Sequence, residues 1–131
     1  MAKQLLRTSQ DKLEHTGGRW AQAWRSGNIV LLQGQTGMTL DGEIVFPGDP
    51  AAQTRQALDN IRTLMELAGG TLNDVVKIVV YVTDHAHRKH VYPIIEEYFG
   101  ELMPCSTGLV VSGLARSEFV MEIDAYGLID D

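Results

Sequence analysis

Apolar positions along this chain follow two rhythms. Ala57, Leu58, Ile61, Leu64, Met65 and Ala68 recur at spacings of 1, 3, 3, 1 and 3, which places them on one face of an α-helix. Asp49-Pro50 supplies its start, because Asp accepts from first-turn amides and Pro at the first helical position loses nothing by lacking its own, and Gly69-Gly70 supplies its stop. Val75 to Val82 is too short for a helix and apolar on both sides, with Val76, Ile78, Val80 and Val82 on one and Val75, Val79 and Tyr81 on the other, so it reads as a central strand. A second helix, capped by Asp84 and stopped by Gly100, carries Ile94, Ile95, Tyr98 and Phe99. An interior proline costs about 3 kcal/mol, so Pro93 places the start of the regular helix near Tyr92 and leaves residues 85 to 91 as a turn. Toward the N-terminus, Arg19 to Arg25 alternates, Ser26-Gly27-Asn28 turns and Ile29 to Gln35 is β-rich, which predicts a hairpin. Gly37 to Gly48 reads as an irregular connection with room for a short strand, and residues 1–15 as a loosely ordered segment. Cys105 to Leu114 and Phe119 to Tyr126 are two further strands joined by Ala115-Arg116-Ser117-Glu118.

The order ββ(β)αβαββ predicts one α+β domain over residues 1–131, a mixed sheet with two helices on one face. Two helices leave the second, partly apolar face uncovered, which predicts a homo-oligomer that packs sheet against sheet. A chain of 131 residues can bury roughly 65 to 70% of its unfolded surface and needs no staple. One cysteine excludes an internal disulfide framework and fits a reducing, cytoplasmic setting. The first residues lack a signal-peptide core, and no run reaches the roughly 18 apolar residues of a membrane span. With 11 Lys plus Arg against 17 Asp plus Glu, a net charge of −6, the chain has no basic patch larger than Arg88-Lys89, which argues against nucleic acid as the main partner.

Alternation in Phe119-Val120-Met121-Glu122-Ile123-Asp124-Ala125 sends Phe119, Met121, Ile123 and Ala125 under the helices and Glu122 with Asp124 to the other face. Carboxylates so placed can hold and deprotonate a water, or be solvated or paired across an interface. Cys105 is a lone thiol at a strand start, with no helix N-terminus or basic partner visible in the sequence to activate it. His85-Ala86-His87-Arg88-Lys89-His90 has metal-like spacing but no accompanying carboxylate pattern, and reads as a solvated turn; no metal is expected. Trp20 and Trp24, four apart, are expected on one side of a strand, in the core or, for Trp20, in a cleft wall.

Gly27 to Gln35, Gln53 to Ile61, Ala68-Gly69-Gly70 with Asp74 to Lys77, Tyr98-Phe99 and Val120 to Ala125 together resemble the RidA/YjgF family of enamine/imine deaminases, also labelled L-PSP endoribonucleases. The resemblance covers residues 17 to 128 and implies a chorismate-mutase-like subunit in a homotrimer, a central β-barrel and clefts between subunits. It implies that Glu122 positions the hydrolytic water, that Gly34 lines the cleft with its backbone, and that Trp20, Gln33, Cys105 and Ser106 complete a site for a small molecule, without a cofactor. One departure stands out: where the deaminases carry a carboxylate-binding arginine two residues after a proline, Pro104-Cys105-Ser106-Thr107 carries Ser106. A helix asparagine of the deaminases falls on Tyr92, and the strand ending at Phe119 is one residue longer. These features resemble the arginine-lacking branches of the family. Arg25, Arg55 and Arg116 are the candidates to replace the clamp. The resulting expectation is hydrolysis of an imine, enamine or related C–N bond, with a ligand-binding homologue without deaminase activity as the alternative.

Overall fold

The computed structural model describes residues 2–8 and 20–130. Strands β1 (Gln4–Leu6), β2 (Ala23–Ser26) and β3 (Ile29–Leu32) precede helix α1 (Pro50–Leu67); β4 (Val75–Val82), α2 (Arg88–Phe99), β5 (Cys105–Val110) and β6 (Met121–Leu128) follow. The sheet order is β1-β2-β3-β6-β4-β5, with β4 and β5 parallel and every other pair antiparallel. Asp49 caps α1 as its sequence predicts, accepting from the Ala52 amide at 3.1 Å. Leu58, Ile61 and Met65 of α1 and Val91, Ile95 and Phe99 of α2 pack on the sheet face formed by Val30, Ile78, Val80, Met121, Ile123 and Ala125.

Among the described residues nothing covers the opposite face. Leu5, Trp24, Leu31, Leu109, Tyr126 and Leu128 on it are each at least 39% exposed, as the two-sided apolar pattern predicts. Among the described residues no helix is long and apolar enough to cross a membrane.

The structure differs from the sequence reading at several points, each for a physical reason. Within the segment expected to be loose, Gln4–Leu6 forms β1, because backbone pairing with β2 sets Leu5 opposite Trp24 and buries Leu6; residues 9–15 lie outside the described residues. Helix α2 starts at Arg88 rather than Tyr92, after a 3-10 turn at His85–His87. Burying Val91, Ile94, Ile95 and Phe99 at about 1.5–3 kcal/mol each outweighs the cost of Pro93. A register shift between Val75 and Lys77 turns Val75 into the core and leaves Val76 exposed, the reverse of strict alternation. β5 ends at Val110 because its partner β4 ends at Val82, and β6 begins at Met121 because the Val120 amide is taken by Gln53 Oε1 at 3.0 Å. Trp20 and Trp24 are both exposed, at 62% and 41%, so neither belongs to the core.

Gln53, fully buried on α1, ties down the loops at one end of the sheet. Its Nε2 donates to the Phe46 carbonyl at 2.9 Å and the Glu118 carbonyl at 2.8 Å, while its Oε1 holds Val120. Replacing it with an apolar side chain of similar size strands three backbone groups, each a buried loss of about 1–3 kcal/mol where water cannot follow. Gln53→Leu is therefore expected to lose at least about 2 kcal/mol in urea unfolding; a loss below about 0.5 kcal/mol, the level of an ordinary surface change, would show that the loops hold without it.

Candidate functional site

A cleft of about 400 Å³ opens where the β3–α1 segment, the β5–β6 loop and β6 meet. Trp20, Gln33, Gly34, Arg116, Phe119 and Glu122 are among its lining residues. The segment after β3 stays close to β6 through a reciprocal backbone pair, Gln35 N to the Ile123 carbonyl and Ile123 N to the Gln35 carbonyl, both at 2.8 Å. That pairing brings Gly34 against two carboxyls. A Cβ there would collide with Glu122 Oε2 and lie 2.7 Å from Asp124 Oδ1, so the glycine backbone comes close to the ends of both carboxyl side chains.

Amide side chains, with Gln35 and Asn60 buried, brace the same segment from the helix side. Gln56 donates to Asn60 Oδ1 at 2.8 Å, Asn60 to Gln35 Oε1 at 3.1 Å and to the Met38 carbonyl at 2.6 Å, and Gln35 to the Gln33 carbonyl at 2.8 Å. A chain of satisfied buried amides fixes one geometry, because a displaced member leaves its neighbour unpaired in low dielectric. The sequence reading missed Gln35 and Asn60. Asn60 carries one sequence signal, a polar type on the helical face of Ala57, Ile61 and Leu64, whereas the β3 period puts Gln35 with the exposed Ile29 and Leu31 and gives no signal.

Burial pushes the Glu122 carboxyl above its ordinary range, and the neighbouring Asp124 charge pushes in the same direction. Asp124 accepts from the Tyr81 hydroxyl at 2.7 Å. That hydrogen bond, with burial and the Asp124 charge behind it, pushes the Tyr81 phenol up to about 12. The two acids therefore have different roles: Asp124 is engaged by a donor, whereas Glu122 faces the cleft with its proton easier to keep.

The remaining sequence-derived residues do not converge there. Cys105 pairs with Lys77, is exposed, and donates its thiol to the Val76 carbonyl at 3.2 Å. Ser106 pairs with Ile78, a core residue, and therefore lies on the helix-facing side, whereas Glu122 pairs with Tyr81 on the uncovered side. Within one chain Ser106 and Glu122 cannot touch the same small molecule.

Of the arginines considered, Arg25 is spent on the carbonyls of Gly27 and Ala68, and Arg55 on Glu97 in the helix layer. Arg116 sits at the cleft rim, 3.7 Å from Glu118. The reading overlooked Arg88, whose guanidinium stacks 4.4 Å from the Tyr92 ring centroid and donates to its hydroxyl at 3.3 Å. The histidines around it form a turn and a helix start, and among the described residues no group of three or more His, Cys, Asp or Glu is arranged to hold a metal ion.

The family model described as endoribonuclease L-PSP matches residues 11–129. A RutC family protein of Pyrococcus abyssi is 37% identical over 127 residues, covering 96% of this chain and 98% of its own. The 3-aminoacrylate deaminase RutC of Acinetobacter baylyi is 32% identical over 104 residues, covering 79% and 82%. The crystal structure of a Mycobacterium tuberculosis member of the YjgF/YER057c/UK114 family superposes with a TM-score of 0.82 at 30% identity, over 98% of this chain and 100% of that one. With its helix-backed mixed sheet and its Gly34–Glu122 cleft, the chain belongs to the RidA/YjgF family, the family of the L-PSP endoribonuclease model.

Proposed function

We propose that the protein hydrolyses the C=N bond of a small imine, or of an enamine through its imine tautomer, releasing ammonia and a carbonyl compound. Family membership and the deaminase name of the Acinetobacter relative support a deaminase-like role. The observation that carries the reading for this chain is Glu122, a carboxyl raised by burial and by Asp124 and held against the Gly34 backbone in an open cleft. A raised carboxyl exchanges protons more readily near neutral pH than an ordinary one.

In the first step Glu122 takes a proton from water as the oxygen attacks the imine carbon, and the C=N electron pair moves to nitrogen. Nitrogen then gains the proton from Glu122. The resulting carbinolamine collapses as its hydroxyl proton leaves through Glu122 to nitrogen, the C=O bond forms and ammonia departs. The chemistry needs no redox partner. The Gly34 backbone and the cleft amides orient the polar atoms.

The assembly belongs to the same proposal: a cytosolic homotrimer in which uncovered faces pack together. Ser106, on the helix-facing side of the edge strand β5, would meet Glu122 of another subunit only where that edge borders the neighbour's cleft. The second reading, a ligand-binding homologue without turnover, is favoured by that same separation and by the serine at position 106.

The test is hydrolysis of imines freshly generated by an amino-acid oxidase, followed as oxo-acid release. Wild type is expected to accelerate release, and Glu122→Gln to lower kcat/KM by about 100-fold or more, the usual worth of a general base. The acid limb of the wild-type kcat/KM profile should lie above 4.5, the ordinary value for this carboxyl. Wild-type silence on every imine would give the lead to the binding reading, and an undiminished Glu122→Gln would remove Glu122 from the chemistry.

Stability gives a second check on the same group. Because the folded state holds the Glu122 proton more tightly than the unfolded chain, stability contributed by the protonated form is lost as pH rises through its titration above 4.5. Glu122→Gln should therefore have a higher urea midpoint than wild type at neutral pH, with the difference closing below pH 4.5. A variant less stable than wild type at neutral pH would contradict the assigned environment.

A further inference from the structure

Thr36 lies in the segment after β3, in the wall of the cleft, and is 8% exposed. The Gln35–Ile123 pair sets its place. Two reciprocal backbone bonds make that pair the hydrogen-bonded kind, so the register puts Gly34 across from Asp124 and Thr36 across from Glu122. Side chains at such flanking positions approach most closely, with Cβ atoms about 5 Å apart. The Gly34 contact agrees, since a Cβ there would meet Asp124 Oδ1 at 2.7 Å. Gln35 turns its amide to Asn60 on α1, so alternation turns Thr36 the other way, to the side of Glu122.

Gln22, Gln35 and Thr36 are the buried polar residues of the cleft wall among the described residues. Gln22 donates to the Leu40 carbonyl at 3.2 Å and accepts from the Thr8 amide at 2.6 Å, and Gln35 donates to the Gln33 carbonyl and accepts from Asn60. Thr36 differs: among the described residues its hydroxyl has no hydrogen-bond partner. Valine would fill the same space without burying a hydroxyl, so the hydroxyl calls for a partner that the chain itself does not supply. A cleft of about 400 Å³ has room for water there. A water that gives one hydrogen to the Glu122 carboxylate and the other to Thr36 Oγ1 keeps a lone pair for a third direction.

We propose that the Thr36 hydroxyl is a second catalytic contact of the cleft and holds, together with Glu122, the water that attacks the substrate. The proposal deepens the proposed function and rests on it only in taking this water as the nucleophile. As the water oxygen bonds to the imine carbon, Glu122 takes one hydrogen as a proton and the C=N electron pair moves to nitrogen. The O–H directed at Thr36 stays intact and becomes the hydroxyl of the carbinolamine. Thr36 keeps its own proton throughout, so it aims the water and leaves the basicity to Glu122.

Thr36→Val keeps the shape and removes the hydroxyl, whereas Thr36→Ser keeps the hydroxyl. On imines freshly generated by an amino-acid oxidase, Thr36→Val is expected to lower kcat about tenfold, the worth of one hydrogen bond in the transition state, and Thr36→Ser to stay within about threefold of wild type. KM should move less than kcat in both. Because the hydroxyl bonds no protein group, the urea midpoint of Thr36→Val should be no lower than that of wild type. A crystal structure of the wild type should show a water within about 3.2 Å of both Thr36 Oγ1 and the Glu122 carboxyl, and one of Thr36→Val should lack it. A wild-type crystal without that water, a water that stays in place in Thr36→Val, wild-type turnover by Thr36→Val, or a lowered urea midpoint that assigns the hydroxyl to the fold would each overturn the proposal. Failure of the hydrolase reading shows differently: a Thr36-dependent water together with no imine turnover by the wild type leaves the water site standing and removes the reaction.

Discussion

The alternation along β6 is the constraint on which the rest of the molecule depends. Met121, Ile123 and Ala125 must face the helices to complete the apolar core, and this forces Glu122 and Asp124 onto the face that the helices leave bare. A slip of one residue would bury both carboxylates under α1 and expose three core side chains, so hydrophobic burial fixes the register that positions the acids. The Gln35–Ile123 backbone pair then transmits that register to Gly34, which closes over Glu122.

Polar groups in the interior complete what the apolar core begins. Gln53 and the amide chain from Gln56 to Gln33 each join a helix to a loop that borders the cleft. Hydrophobic contacts alone would let those loops slide, whereas amides hydrogen-bonded in a chain hold them in one arrangement. The cleft is thus built on rigid elements although its walls are loops, and its key carboxyl pays for the position with a partial desolvation that keeps its proton closer to neutral pH.

Much of this was legible in the sequence where a physical period was strong. The helical face from Ala57 to Ala68, its Asp49-Pro50 start, the central strand at Val75–Val82 and the placement of Glu122 opposite the core all follow from spacing alone. The parts that sequence did not show depend on contacts between distant segments. β1 is three residues long and exists through pairing with β2; the β4 bulge reverses Val75 and Val76 through its register with β6; and the side of the sheet taken by Ser106 follows from its parallel register with β4. Arg88 was read only as half of a basic pair because its place over Tyr92 and its approach to Gly108 arise only when α2 packs over β5. Arg25 and Arg55 looked equally available in sequence until their carbonyl and carboxylate partners came near.

The central claim is that the fold holds Glu122 as a raised, proton-exchanging carboxyl beside an Asp124 engaged by Tyr81. The most direct measurement is a carbon-detected NMR titration of the Glu122 side-chain carboxyl in wild type and in Asp124→Asn. The account predicts a wild-type midpoint above 4.5 that falls when the Asp124 charge is removed. A wild-type midpoint at or below 4.5, or one indifferent to Asp124→Asn, would contradict it.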